Sequence, residues 1–200
     1  MAFTVQEVIT SARYAMKDAD SGDYRMSDAE GVIYVNDGIA EISIIRPALF
    51  KALGDMTCID GQCDQVITFA EARELVDVLA IHGGSAVPEC DMATLDAFLP
   101  SWRTTAAGAA VNWMRKPGDP LRFFIYPKAP ADQVLDVMYV KNPTALALSD
   151  PIQIVPATMR SALVHYVVWR AEFKDDEHAN SGRAKASYEV FVELVKGAAA

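Results

Sequence analysis

The spacing at which apolar residues recur changes twice along this chain, and nothing else in the sequence constrains its fold as strongly. Near the N-terminus, Thr4 and Glu7 have the form of a capping box, in which a hydroxyl and a carboxylate satisfy backbone N–H groups at a helix start. Val5, Val8, Ile9, Ala12 and Met16 follow at helical steps, which predicts a first amphipathic helix. Residues 18–24, with Gly22 among them, read as a polar turn. Ser27 and Glu30 repeat the box and open a second helix with the stripe Val32, Val35, Ile39 and Ile42. Pro47 disfavours the α conformation at Arg46, so this helix should stop there, with Pro47 starting a short turn.

From about Met56 to Pro143, β-branched and aromatic residues cluster in short runs separated by Gly, Pro and Asp. Residues 63–69 and 73–81 are expected as strands, although 75–80 also carries a helical reading. Gly83 and Gly84 suit a tight hairpin leading into residues 85–87. Residues 91–98 form a short helix closed by Pro100. Runs 110–115, 121–126 and 134–140, joined through proline-containing turns, suggest an antiparallel meander in one small sheet. After Pro151 the helical period returns in Leu163, Val164, Val167, Val168 and Ala171, widened by Tyr166 and Trp169. A last helix, capped by Asp175 or Asp176, carries Ala179, Ala186, Val190, Phe191 and Leu194. The expected fold class is α+β: a helical bundle from residues 1–55 and 151–200 with an inserted small antiparallel β-sheet region, 56–150, in one structural unit.

Charge narrows the possible partners. Twenty-seven acidic against 18 basic residues leave a net charge of −9, which opposes attraction to phosphate backbones and anionic lipid. Neither sequence-specific nucleic-acid binding nor a membrane partner is expected, and no run approaches the roughly 18 to 20 apolar residues of a bilayer span. The first residues lack a secretory pattern, so the protein is expected in the cytosol when made. Cys58, Cys63 and Cys90 are odd in number and are expected as free thiols.

Candidate chemistry meets a simpler structural reading at each position. His82, Gly83 and Gly84 resemble the start of an oxyanion-hole loop, but no Gly-x-Ser-x-Gly elbow accompanies them. Cys58, Cys63, Cys90 and His82 are ligand types without the paired spacing of a zinc site. Asp18, Asp20 and Asp23 fall short of a calcium loop, since Asp23 stands where its glycine belongs and Ala29 where its glutamate belongs. Asp175, Asp176, Glu177 and His178 fit the first turn of a helix as well as an acid/base cluster, and His165 lies on an apolar helix face. No catalytic, metal or cofactor residues are assigned. The alternative is a small metal-dependent hydrolase using His82 and residues of the β insertion.

One ordered set of residues remains. Tyr24, Arg25, Met26, Ser27, Asp28, Ala29 and Glu30 are followed by Asn36, Asp37 and Gly38, by Glu41 and Ile42, and by Arg46 with Pro47. Tyr126, Pro127, Pro130, Val137, Tyr139 and Pro143 come later, then Ala162, Leu163, Tyr166, Arg170, Ala171, Lys174 and Asp175, and last Arg183, Ala184, Tyr188 and Phe191. Together they resemble tailed-bacteriophage head-to-tail adaptor (connector) proteins, with residues 54–113 the least distinctive. The resemblance implies a non-enzymatic virion neck protein, present in the host cytoplasm during assembly. It implies a ring, expected dodecameric, beneath the portal protein, joined to a tail or nozzle protein, with genome DNA passing through its lumen. An acidic chain suits a conduit in which DNA must not adhere. Val190, Phe191, Leu194 and Val195 form the candidate portal-docking stripe, with packing on the preceding helix as the other reading.

Overall fold

A computed structural model describes residues 2–18, 20, 22–174 and 180–197. In chain order its first elements are β1 (Phe3–Thr4), α1 (Val5–Met16), α2 (Asp28–Ile45), β2 (Lys51–Thr57), β3 (Asp64–Val66), β4 (Ala72–Ile81) and α3 (Met92–Phe98). They continue with β5 (Asn112–Arg115), β6 (Arg122–Tyr126), β7 (Val134–Lys141), β8 (Pro151–Ile152), α4 (Arg160–Glu172) and α5 (Ser181–Gly197). The chain is a mixed α+β protein whose small sheets are antiparallel. It divides into two compact units, residues 1–50 with 143–200, and residues 51–142.

In the helical unit both capping boxes form. Thr4 N–H donates to Glu7 Oε2 at 3.0 Å while Glu7 N–H donates to Thr4 Oγ1 at 3.2 Å. Ser27 and Glu30 do the same for α2 at 3.0 and 3.2 Å. Each box satisfies donors that a helix start otherwise leaves open. α2 ends at Arg46, and Pro47–Phe50 forms a short 3-10 turn, as the proline dictates. The apolar face of α1 is buried throughout, as are Val35, Ile39 and Ile42 of α2, while Val32 is half-buried. Two glycines allow the helices to approach: a Cβ at Gly31 would lie 2.8 Å from the Ile9 side chain, and one at Gly38 would lie 3.0 Å from Tyr166 and 3.1 Å from Leu163. The face of α5 differs from the expected one. Ala184, Ser187, Phe191 and Val195 are buried and Ala186 is exposed. The aromatic cluster selects this row: Phe191 meets Tyr166 edge-on at 4.9 Å, and Tyr188 lies 4.5 Å from Trp169. Asp175, Asp176, Glu177, His178 and Ala179 lie outside the described residues.

The β unit holds two three-stranded antiparallel sheets, ordered β2-β7-β4 and β3-β6-β5. β5 and β6 pair as neighbours, but β7 leaves β6 and inserts between β2 and β4, so the expected single meander is corrected. Alternating Leu135, Val137 and Tyr139 point into a core that also takes Trp113, Phe123 and Ile125 from the other sheet. Burying that face requires opposing sheets, which adjacency along the chain does not reveal. β2 begins at Lys51, ahead of the texture change at Met56. Its Gly54 and Asp55 are poor strand formers, which hides the strand in the sequence. Residues 75–80 are strand, not helix, and Gly83 takes φ 66° in the expected turn after β4. A smaller cluster of Cys63, Trp102 and Met114 gathers Leu95 and Leu99 from around α3.

Candidate functional site

The side chains considered for chemistry do not converge as sequence spacing grouped them. Cys58 is buried in the main β core, where burial pushes its thiol up and Gln133 Nε2 approaches at 3.7 Å. Cys63 is buried in the smaller cluster, with Cys90 half-buried beside it. His82 has other company. Its Nδ1 lies 2.7 Å from Asp136 Oδ1 and 3.7 Å from Asp55 Oδ1. The hydrogen bond to Asp136, and then the nearby Asp55 charge, hold the imidazole above its usual pKa. These residues are exposed or half-buried on the sheet surface. His165 is half-buried on α4, and burial pushes its pKa down. Asp18 closes the turn before α2 by accepting from the N–H groups of Arg25 at 3.0 Å and Met26 at 3.2 Å. Asp20 accepts from Gly22 N–H at 3.0 Å.

A denser polar arrangement occupies the helical unit; most of its members entered the sequence analysis only through the ordered family set, and Arg13, Tyr34 and Glu172 carried no reading there. Arg13 donates to Met26 O at 2.6 Å and pairs with Asp28 at 2.9 Å. Arg25 donates to Ala171 O at 2.8 Å and lies 3.6 Å from Glu172, which also receives Arg183 at 3.2 Å. Glu172 is only 2% exposed, so these two guanidiniums compensate a carboxylate taken out of water. Lys174 pairs with Glu30 at 2.5 Å. Burial opposes ionisation of that carboxyl, but Lys174 and the Ser27 N–H outweigh it and hold its pKa below the usual value. Arg170 meets Asp37 at 2.7 Å and lies over the Tyr34 ring at 4.9 Å. Tyr188 donates to Glu41 at 2.9 Å, and that bond, followed by burial, raises the phenol pKa. Asn36 exchanges two hydrogen bonds with the Leu146 backbone, at 2.9 and 2.8 Å. The partners are mostly more than 100 residues apart, so no local pattern could announce them.

Around this network the helix surface keeps apolar side chains. Ile33 and Ile44 of α2 are 56% and 71% exposed, and Tyr14 and Phe173 are also open. In the C-terminal stripe Phe191 and Val195 are buried within the helical unit, while Val190 and Leu194 are half-buried.

The model of one family, described as SU10 adaptor protein, matches residues 3–197. The chain belongs to this family of phage head-to-tail adaptors and is a structural component of the virion. No curated protein sequence matches it significantly. Among the described residues, no helix is long and apolar enough to cross a membrane.

Proposed function

We propose that copies of this chain form a ring beneath the phage portal, join it to a tail or nozzle protein, and leave a lumen through which genome DNA passes. No catalysis belongs to this role. The observation that carries the reading, beyond family membership, is α2. It is apolar on two sides, burying Val35, Ile39 and Ile42 while presenting Ile33, Ala40 and Ile44 outward. A helix of that kind suits a second protein surface. A neighbouring copy covers the outward side of α2 in this reading. The half-buried edge of the C-terminal stripe, Val190 and Leu194, meets the portal, with Phe191 and Val195 anchoring the stripe from inside.

A charge of −9 on every copy opposes closure of the ring in free solution, and a preassembled portal raises the local concentration of docked copies. The chain is therefore a monomer in the host cytoplasm until it reaches the portal. Sedimentation velocity of the chain, alone and with purified portal, tests this. The expected result is a slow single species alone and a portal-bound ring in the mixture. A closed ring of the isolated chain at low salt overturns the templating step, and failure to bind portal overturns the function. Ile33→Asp with Ile44→Asp should leave the fold intact, because exposed sites rarely shift stability by more than about 0.5 kcal/mol, yet prevent ring closure on the portal.

A further inference from the structure

The exposed surface of the β2-β7-β4 sheet carries an arrangement that the adaptor role does not explain. Antiparallel register places Asp55 of β2 directly opposite Asp136 of β7. Like charges at directly opposed positions destabilise a strand pair unless something neutralises them. On the other side of β7, Ala80 of β4 is also in register with Asp136, and the chain leaving β4 brings His82 to the same place. The backbone there is fixed: His82 N–H donates to Val134 O at 2.9 Å, and Gly84 N–H closes the following turn on Ile81 O at 2.7 Å. Two neighbouring strands, β2 and β7, and the turn that follows β4 thus each contribute one ligand atom at a single spot.

The donors are of the right type and spacing for a metal. One ligand atom from each of Asp55, His82 and Asp136 lies within 4.8 Å of the others, and no other group of three such side chains meets this condition among the described residues. Metal–nitrogen and metal–oxygen bonds of about 2.0 to 2.2 Å put two neighbouring ligands of one ion about 3 to 3.5 Å apart. The separations of 2.7 and 3.7 Å from His82 Nδ1 bracket that distance. One imidazole with two carboxylates suits zinc and its first-row neighbours better than calcium or magnesium, which take oxygen donors alone. A divalent ion there would balance the two carboxylates, whereas a protonated His82 balances only one. Glu74 and Asp77 of β4, in register with Val140 and Met138, add negative charge to the sheet, and Lys51 of β2 opposes it. Cysteine spacing gave no reason to expect a metal; the carboxylates that complete this set are distant in sequence and meet His82 only through the sheet.

We propose that Asp55, His82 and Asp136 bind one divalent transition-metal ion of the zinc and cobalt class, which ties β2, β7 and β4 together at this end of the sheet. Water completes the coordination, and the ion displaces the proton that His82 otherwise shares with Asp136. Binding therefore tightens as pH rises. The test is titration of the full chain, stripped with chelator, using Co²⁺ followed by visible absorption and Zn²⁺ followed by calorimetry. One ion per chain is expected, with affinity reduced about tenfold or more in both His82→Gln and Asp136→Asn. Asp119→Asn, at the turn before β6, should bind as the parent does. If Asp136→Asn does not fold, the exposed Asp55→Asn takes its place. Absence of saturable binding overturns the proposal. So does binding that survives either the histidine or the carboxylate substitution within about threefold, or affinity that does not rise with pH.

Discussion

The two units hold themselves together by different means. In the β unit the strand ladders satisfy backbone groups and fix strand positions at the same time, and a core rich in Trp113, Phe123, Ile125 and Tyr139 fills the interior. Helices satisfy their own backbones internally, so nothing in the backbone tells one helix where to sit against another. The helical unit supplies that information with side chains: Arg25 and Arg183 on Glu172, Arg170 on Asp37, Tyr188 on Glu41 and Asn36 on the Leu146 backbone. Most residues that carry the adaptor resemblance lie in this unit, and seven of them, Arg25, Asn36, Asp37, Glu41, Arg170, Arg183 and Tyr188, make these contacts. Residues 54–113, the least distinctive stretch, lie in the β unit. A core held by ladders tolerates volume-conserving exchange, whereas a paired carboxylate and guanidinium do not.

The largest effects should not distinguish the units. Val167 of α4 and Val137 of β7 are both fully buried, and an aspartate at either costs several kcal/mol of a total near 5 to 15. Val167→Asp and Val137→Asp should both lose the cooperative melt in circular dichroism. If Val167→Asp kept a parental Tm, the burial of α4 would be wrong. The next effect separates the units. Glu172→Gln leaves two guanidiniums around a buried amide and should cost about 3 kcal/mol, the low end for breaking a buried pair, because Arg183 is itself partly exposed. Glu89→Gln, which breaks the exposed pair with Arg115 in the β unit, should cost less than about 1 kcal/mol in urea unfolding. Glycine contrasts follow. Gly38→Leu forces a side chain between α2 and the fixed Tyr166 and Leu163 and should cost about 1 to 3 kcal/mol. Gly54→Leu meets the Phe69 ring, which is only half-buried where Tyr166 and Leu163 are buried, so its cost should be smaller. Equal costs would mean that close helix approach is not what Gly38 provides.

Local chemistry was legible in the sequence and non-local pairing was not. Both capping boxes, the stop at Pro47, the turn at Gly83 and the start of α3 at Asp91 follow from a few adjacent residues. β2 was hidden because Gly54 answers to Phe69 and Asp55 to His82, neither of which is near in sequence. The partners of β7 were misread because adjacency along the chain favoured β6, whereas the pairing with β2 and β4 rests on which faces share a core. The α5 stripe was displaced by one helical row, since Ser187 is tolerated inside while Ala186 is left out, a choice set by the positions of Tyr166 and Trp169. Part of the helix-locking network was visible as an ordered set of residues through the resemblance, without Arg13 and Glu172, and its ion pairs, most of which span over 100 residues, emerge only on folding.

The smallest effect, and the finest contrast, concerns protonation. In the helical unit the partners of the buried Glu172 and the half-buried Glu30 are Arg and Lys, residue types that ordinarily stay charged across the neutral range, so those ties should change little there. In the β unit His82 titrates. Its pKa is raised in the folded sheet by the hydrogen bond to Asp136 and the charge of Asp55, so the folded chain holds a proton that the unfolded chain, near pH 6.5, has begun to release. The stabilisation from His82 is therefore fully present below about pH 6.5 and is lost as pH rises through the higher folded value. Above that point the opposed Asp55 and Asp136 lose their neighbouring cation. With metal removed by chelator, the Tm difference between the parent chain and His82→Asn should be greatest near pH 5.5 and vanish near pH 8.5. Asp55→Asn should narrow the gap by removing one of the two charges that sustain it. A Tm difference that is flat across this range, or that grows with pH, would show that the imidazole does not hold these strands through its charge.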